Sequence, residues 1–354
     1  MLRSVKLLGL RLAGTVGING FLLESHWRQR RLLILCYHGL ALEDEDKWRP
    51  EVFIPADLFR ARMERLRDLD VAVLPFSEAI QRLYDGSLPK RAVAITFDDG
   101  GHDFYRLAYP VLREYSFPAT VYLTTYYSVF NRPVFDLMVT YLLWKASGRT
   151  LDCPEFLARP VLLDERGRTA AELEIKAKVR GNGYNGPAKD RVLAALAAAL
   201  SIDYERICAK RLLQLMTLSE VKEIVAGGID VQLHTHRHRV PRMRHLFLKE
   251  IEENRKWIEA AQARTPVHFC YPCGFHSPEF LGFLESASVE SATTCALGLA
   301  TKADNRFLLP RLLDTSTLTT IEFEAWVSGV ASLLPQRRHP PLPESILQDV
   351  APTS

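Results

Sequence analysis

Apolar positions along the chain fall into short runs separated by longer stretches of helical spacing. Leu32 to Cys36, Val71 to Leu74, Ala92 to Ile95 and Pro118 to Leu123 are too short for helices and read as buried strands. Between them, Pro55 to Leu69 places Leu58, Phe59, Met63, Leu66 and Leu69 at helical spacing, with Asp57 near its start. Ser77 to Tyr84 reads as a helix closed by Asp85-Gly86, and Phe104 to Tyr115 as a helix kinked or broken by Pro110. Strands alternating with helices imply a parallel sheet or barrel with right-handed crossovers.

The rhythm breaks at residues 127–216, where no convincing strand pair is visible. Phe135 to Ala146, Asp190 to Leu200 and Tyr204 to Leu215 read as helices, and Arg180 to Pro187 as a cluster of turns. This is a helical insertion, expected either to wall a binding site or only to cover one side of the core. A capped helix from Thr217 to Gly227-Gly228 restarts the alternation. Strands follow at Ile229 to Leu233, Val267 to Tyr271, Ser291 to Ala296 and Phe307 to Leu312, with helices at Leu246 to Ala263 and Pro278 to Ser286. The pattern predicts an α/β fold, an irregular barrel of seven or eight strand–helix units over residues 31–334, with a flexible tail at 335–354.

At 354 residues, 47% apolar and 25% charged, the chain has the make-up of a globular protein with a sizeable core. A net charge of +3, spread along the chain, gives no reason to expect nucleic acid as a partner. Of six cysteines, Cys36, Cys270 and Cys295 lie in strand-like contexts and read as small buried hydrophobes of a reducing compartment. Cys270-Tyr-Pro-Cys273 has redox or zinc spacing but lacks the second pair a zinc ribbon needs. Residues 1–30 form an N-terminal segment in which Arg3 and Lys6 precede an apolar stretch, Leu12 to Leu23, that is too short to span a bilayer. An amphipathic helix resting on a membrane surface or on the barrel is expected there, with a secretory signal as the lesser reading. The expected location is cytoplasmic, with peripheral membrane association through this segment.

Candidate chemistry sits where the apolar runs end. Asp98 and Asp99 close the strand Ala92 to Ile95, and successive residues of a strand point to opposite sides. One acid can therefore hold a metal while the other stands beside it as a base; the plainer alternative is a strand followed by an Asp-Gly turn. His234 and His238 follow a second buried strand, four residues apart, with His236 between them. Two such imidazoles and a carboxylate suit Zn²⁺, and Fe, Co, Ni or Mn fit the same donors. The alternative for this stretch is a polar surface loop. His38, after the first strand, is read by default as a hydrogen-bonded structural residue.

These stretches together resemble the polysaccharide deacetylases of the NodB-homology type (carbohydrate esterase family four), over roughly residues 31–315. Thr96-Phe97-Asp98-Asp99-Gly100 is similar to the first family motif and His234-Thr235-His236-Arg237-His238 to the second. Phe269-Cys270-Tyr271-Pro272-Cys273-Gly274 is similar to a third, and Tyr37-His38, Phe117 to Thr120 and Leu309 to Arg311 also match. The resemblance implies that Asp99, His234 and His238 bind a divalent metal, most often zinc, and that Asp98 is the catalytic base. It implies substrate contacts at Tyr271, Pro272 and Cys273, the last offering its backbone N–H to the oxyanion. Two departures stand out. The arginine that orients the base in family members is replaced by Cys270, with Arg311 the candidate substitute. The family's late general-acid histidine has no match: His276 stands in the wrong context, His339 lies in the tail, and His102 and His236 read as structural or groove-lining. The implied function is metal-dependent removal of N-acetyl groups from an acetylated glycan in cell-surface polysaccharide metabolism. The alternatives are a catalytically silent glycan-binding relative and an amidohydrolase of small non-sugar amides.

Overall fold

Seven of the apolar runs become parallel strands whose residues are buried along almost their whole length, as a sheet covered on both faces requires. In this computed structural model, which describes residue 10 and residues 18–334, they are β1 (Arg31–Tyr37), β2 (Ala92–Phe97), β3 (Thr120–Leu123), β4 (Asp230–Leu233), β5 (His268–Cys270), β6 (Ser291–Leu297) and β7 (Leu309–Leu313). Each pairs with its neighbour in sequence, and β1 pairs with both β2 and β7, so the sheet closes into a seven-stranded barrel. Registers such as Leu35↔Ile95 and Leu35↔Leu312 fix that closure. Ala72–Val73 extends β2 in parallel, and Ala300–Thr301 lies antiparallel on β1. Because all seven strands run the same way, residues that follow their C-terminal ends gather on one face.

Arg28 helps close the opposite end. It is wholly buried, and its guanidinium donates to the carbonyls of Val327 (2.8 Å), Arg31 (2.5 Å) and Ala92 (3.1 Å). Burial pushes its pKa down to about 10, still a cation at neutral pH. The short helices Ile18–Leu23 and His26–Gln29 are thereby knit to the helix Thr320–Ser328. Gly329, at φ 90°, turns the chain beside Trp27, where a Cβ would come within 2.7 Å of the indole. No helix among the described residues is long and apolar enough to cross a membrane. Residues 12–17, the first half of the N-terminal apolar stretch, and the tail from 335 lie outside the described residues.

Tyr127–Thr217 form a second compact unit. Within it the helix Phe135–Lys145 packs against Glu165–Gly181 and Gly186–Ala199, burying Met138, Leu142, Ile175, Val179 and Leu196. The sequence pattern misses Glu165–Gly181, whose buried stripe is only Ala171, Ile175 and Val179 among charges. It also misses an antiparallel pair of two-residue strands, Thr150–Leu151 with Val161–Leu162, too short for any periodicity to register. Two further expectations change. Pro110 does not break its helix: it sits in the first turn of Tyr109–Glu114, where no N–H is needed, after a π-helical stretch, Phe104–Ala108. Cys295 is exposed, because the outer end of β6 leaves the core at that residue.

Candidate active site

The two acids at the end of β2 do diverge. Asp98 continues the sheet, its N–H donating to the Tyr37 carbonyl (2.8 Å), whereas Asp99 turns into the left-handed region at φ 68°. Asp98 points into the barrel and is 2% exposed. Arg311 on β7, also 2% exposed, donates to it through both terminal nitrogens, Nη1 to Oδ1 and Nη2 to Oδ2, each at 2.7 Å. Its Nε donates to the Thr294 carbonyl (3.0 Å), fixing the fork. Arg311 thus occupies the place beside Asp98 that Cys270 cannot fill. The thiols of Cys270 and Cys36 lie 3.4 and 3.5 Å from Asp98 Oδ2. Burial pushes both thiols well up, so they stay protonated and donate. Burial also pulls the Asp98 pKa upward, but the Arg311 charge and hydrogen bonds, helped by His38 and His234, outweigh it and hold the carboxyl well below its usual range. Asp98 is ionised throughout the physiological range.

Asp99 faces the two histidines. Its Oδ1 lies 3.2 Å from His234 Nε2 and 3.2 Å from His238 Nε2, and the three ligand atoms fall within 4.8 Å of one another. His234 Nδ1 stands 2.8 Å from the Cys270 carbonyl, to which it can only donate, which leaves Nε2 as the atom that faces Asp99. Two imidazole nitrogens and one carboxylate oxygen around a point, with an open side, fit a divalent ion of the zinc type. Two other groups also converge, Cys36 with His38 and Asp98, and Cys270 with His234 and Asp98. Both share Asp98, which the Arg311 cation already neutralises, so the Asp99 set is the one suited to a cation. Asp99, Thr235 (φ 63°), His238 (φ 56°) and Cys273 (φ 55°) are all left-handed, a conformation that costs a β-branched residue most.

The residues after β5 follow suit. Tyr271 and Pro272 are buried, while Cys273 is exposed. Its N–H has no hydrogen-bond partner among the described residues, since the neighbouring turn uses the Gly274 and Phe275 amides instead. His276 caps the Gly274 carbonyl with Nδ1 (2.9 Å). His236 is buried against Thr125 Oγ1 (2.8 Å), and burial lowers its pKa to about 4, so it is a neutral support; His102 is paired with Glu220 at 3.1 Å.

His38 is the residue that sequence reasoning left out of the site. Its Nε2 lies 3.7 Å from Asp98 Oδ2, and its buried Nδ1 has no partner. The signal available was its position: it follows β1 as Asp98 follows β2, and the two strands are paired neighbours, Tyr37 lying opposite Phe97. The peptide after His38 is held by Asp103, whose Oδ2 accepts from the Leu40 N–H at 2.6 Å. Burial raises the Asp103 pKa to about 7. The folded protein therefore keeps a proton that the unfolded chain gives up above its ordinary value of 3.8, and stability falls as pH rises from about 4 to about 7. Asp103→Asn, which can still accept from Leu40, should remove this slope. Urea midpoints at pH 4.5 and 7.5 should show the variant gaining on the parent at the higher pH, on the order of 2–4 kcal/mol.

Comparison with known proteins covers the same stretches of the chain. The family model for polysaccharide deacetylases matches residues 85–141 and 203–292, which include both acids and both histidines. The poly-β-1,6-N-acetyl-D-glucosamine N-deacetylase of Staphylococcus epidermidis is 29% identical over 147 residues, 38% of this chain and 50% of that protein. The protein of the same name from Staphylococcus aureus is 36% identical over 67 residues, 19% of this chain and 23% of that one. The chain thus spans half or less of the length of these curated relatives. Among solved structures, the Streptococcus pyogenes deacetylase PplD, in complex with acetate, superposes with a TM-score of 0.56 at 17% identity, covering 86% of this chain and 99% of that one. IcaB from Ammonifex degensii gives 0.55 at 18% identity, covering 84% and 97%. These two likenesses establish the barrel, and the family match covers its motif-bearing strands: the chain carries a polysaccharide deacetylase domain of the NodB-homology type.

Proposed function

We propose that the protein is a metal-dependent hydrolase that removes N-acetyl groups from a glycan. The observation that carries this reading is the pairing of unlike acids at one strand end: Asp98 gripped by Arg311 and ionised, Asp99 grouped with His234 and His238. A divalent ion held by Asp99, His234 and His238 supplies Lewis-acid polarisation of the acetamide carbonyl and of the attacking water. Asp98 takes a proton from that water, and Arg311 keeps its carboxylate aimed. The Cys273 N–H faces the oxygen that gains charge as the carbonyl carbon becomes tetrahedral. His38, whose Nε2 lies 3.7 Å from Asp98 Oδ2, gives the departing nitrogen its proton, so acetate and a free amine are released. Zinc is the metal proposed, on the donor set alone.

The names of the relatives support a polymer containing N-acetylglucosamine as the substrate class. Six free thiols suit a reducing compartment, and we place the protein on the cytoplasmic side, with the N-terminal segment touching the membrane. Acetate release from N-acetylated oligosaccharides and from acetylated envelope glycans tests the function. The parent, loaded with Zn²⁺ or Co²⁺, should release acetate. Asp98→Asn should lose about 10²–10⁴-fold while retaining its metal. Metal-loaded parent that releases nothing from any glycan would leave the silent binder or the small-amide hydrolase.

A further inference from the structure

Asn254 lies on the helix Arg244–Glu259, wholly buried, and touches none of the reacting groups. Its carboxamide makes three hydrogen bonds. Oδ1 accepts from the His234 N–H (2.9 Å), while Nδ2 donates to the Leu123 carbonyl (2.9 Å) and to Thr125 Oγ1 (3.1 Å). The end of β3 that it grips is bonded in turn to Asp99, to His234 and to His236 in the loop that leads to His238. The Thr124 N–H donates to the Asp99 carbonyl (3.1 Å), Thr124 Oγ1 donates to the His234 carbonyl (3.2 Å), and Thr125 Oγ1 meets His236 Nδ1. The loop these bonds restrain is conformationally unfavourable, with Thr235 and His238 left-handed on either side of His236. Such a loop stays in place only while its surroundings over-determine it.

We infer that Asn254 is a positioning residue for the metal, setting the separation between Asp99 on one strand end and His234 and His238 on another through the bridge Leu123-Thr124-Thr125. The inference rests on reading Asp99, His234 and His238 as the metal ligands. Outer residues that orient ligands typically govern metal affinity by about 10–100-fold. The carboxamide suits this task because it has an acceptor and two donors in one plane. An aspartate there keeps the acceptor for His234 but repels the Leu123 carbonyl.

The test uses the full chain, stripped of metal and titrated with Zn²⁺ and Co²⁺ against a competing chelator. Asn254→Asp and Thr124→Val are compared with the parent, and the Tm of each metal-free protein is recorded. The expected result is Zn²⁺ binding about 10–100-fold weaker in Asn254→Asp, with a changed visible spectrum of bound Co²⁺. Thr124→Val should weaken binding in the same direction. Parent-like affinity and Co²⁺ spectrum in Asn254→Asp, with only Tm lowered, would make Asn254 a structural residue and overturn the inference. If Asn254→Asp does not fold, Thr124→Val decides by the same two readouts. A parent that binds neither ion overturns the metal reading itself, and this inference with it.

Discussion

Arg311→Met should destabilise the barrel by about 3–5 kcal/mol, the cost of leaving a buried charge without its partner. The side chains of Arg311 and Asp98 are 1% and 3% exposed, so water cannot replace the lost hydrogen bonds. Methionine fills similar volume, which limits the cavity contribution and isolates the charge effect. The Asp98 carboxylate, no longer opposed, should rise in pKa towards the value burial alone dictates. Two consequences separate stability from function. Combining Arg311→Met with Asp98→Asn removes both charges, and the urea midpoint should recover towards that of the parent. Activity should not recover, because no base remains. A single variant as stable as the parent would mean that the pair contributes no net constraint at this site.

His38→Gln should lower kcat by about 10²–10⁴-fold with little change in metal affinity. Glutamine retains an N–H that can face Asp98 but cannot transfer a proton to a leaving amine. The variant should therefore also lose the alkaline limb of its pH–rate profile, which in the parent reports a donor that must be protonated. His38 is also grouped with Cys36 and Asp98 as one of the alternative ligand sets. Weaker metal binding in the variant would move His38 into the metal site, and an intact alkaline limb would assign the proton to another group.

Asp98, Asp99, His234 and His238 were legible in the sequence because each follows an apolar run at its end, where parallel strands expose their last residues on one face. The two acids could be told apart because neighbours on a strand diverge, and Asp99 at φ 68° widens that divergence. The partners of these residues were harder to see. Arg311 binds Asp98 across 213 residues of chain, and His38 approaches it across the β1–β2 pairing. Asn254 looks like any polar residue on a helix until β3 and β4 are placed side by side. The left-handed backbone of Thr235 and Cys273 has no signature in those residue types, since surrounding bonds impose it. Glu165–Gly181 escaped for a local reason, its narrow apolar stripe.

The closure of the barrel on β1 has a consequence for how the chain comes into being. β1 is the first barrel strand, yet one of its edges waits for β7, whose residues follow about 280 positions later. At roughly 5–20 residues per second on a ribosome, that edge stands unpaired for about 15–60 seconds. An open parallel edge rich in Leu and Ile, here Leu32 to Leu35, is the kind that other chains can pair with. The nascent protein is therefore most exposed to aggregation late in synthesis, after six strands are assembled and before Leu309–Leu313 arrives. Yield of soluble protein should then depend on elongation speed and on chaperones that shield strand edges more than on the stability of the finished barrel.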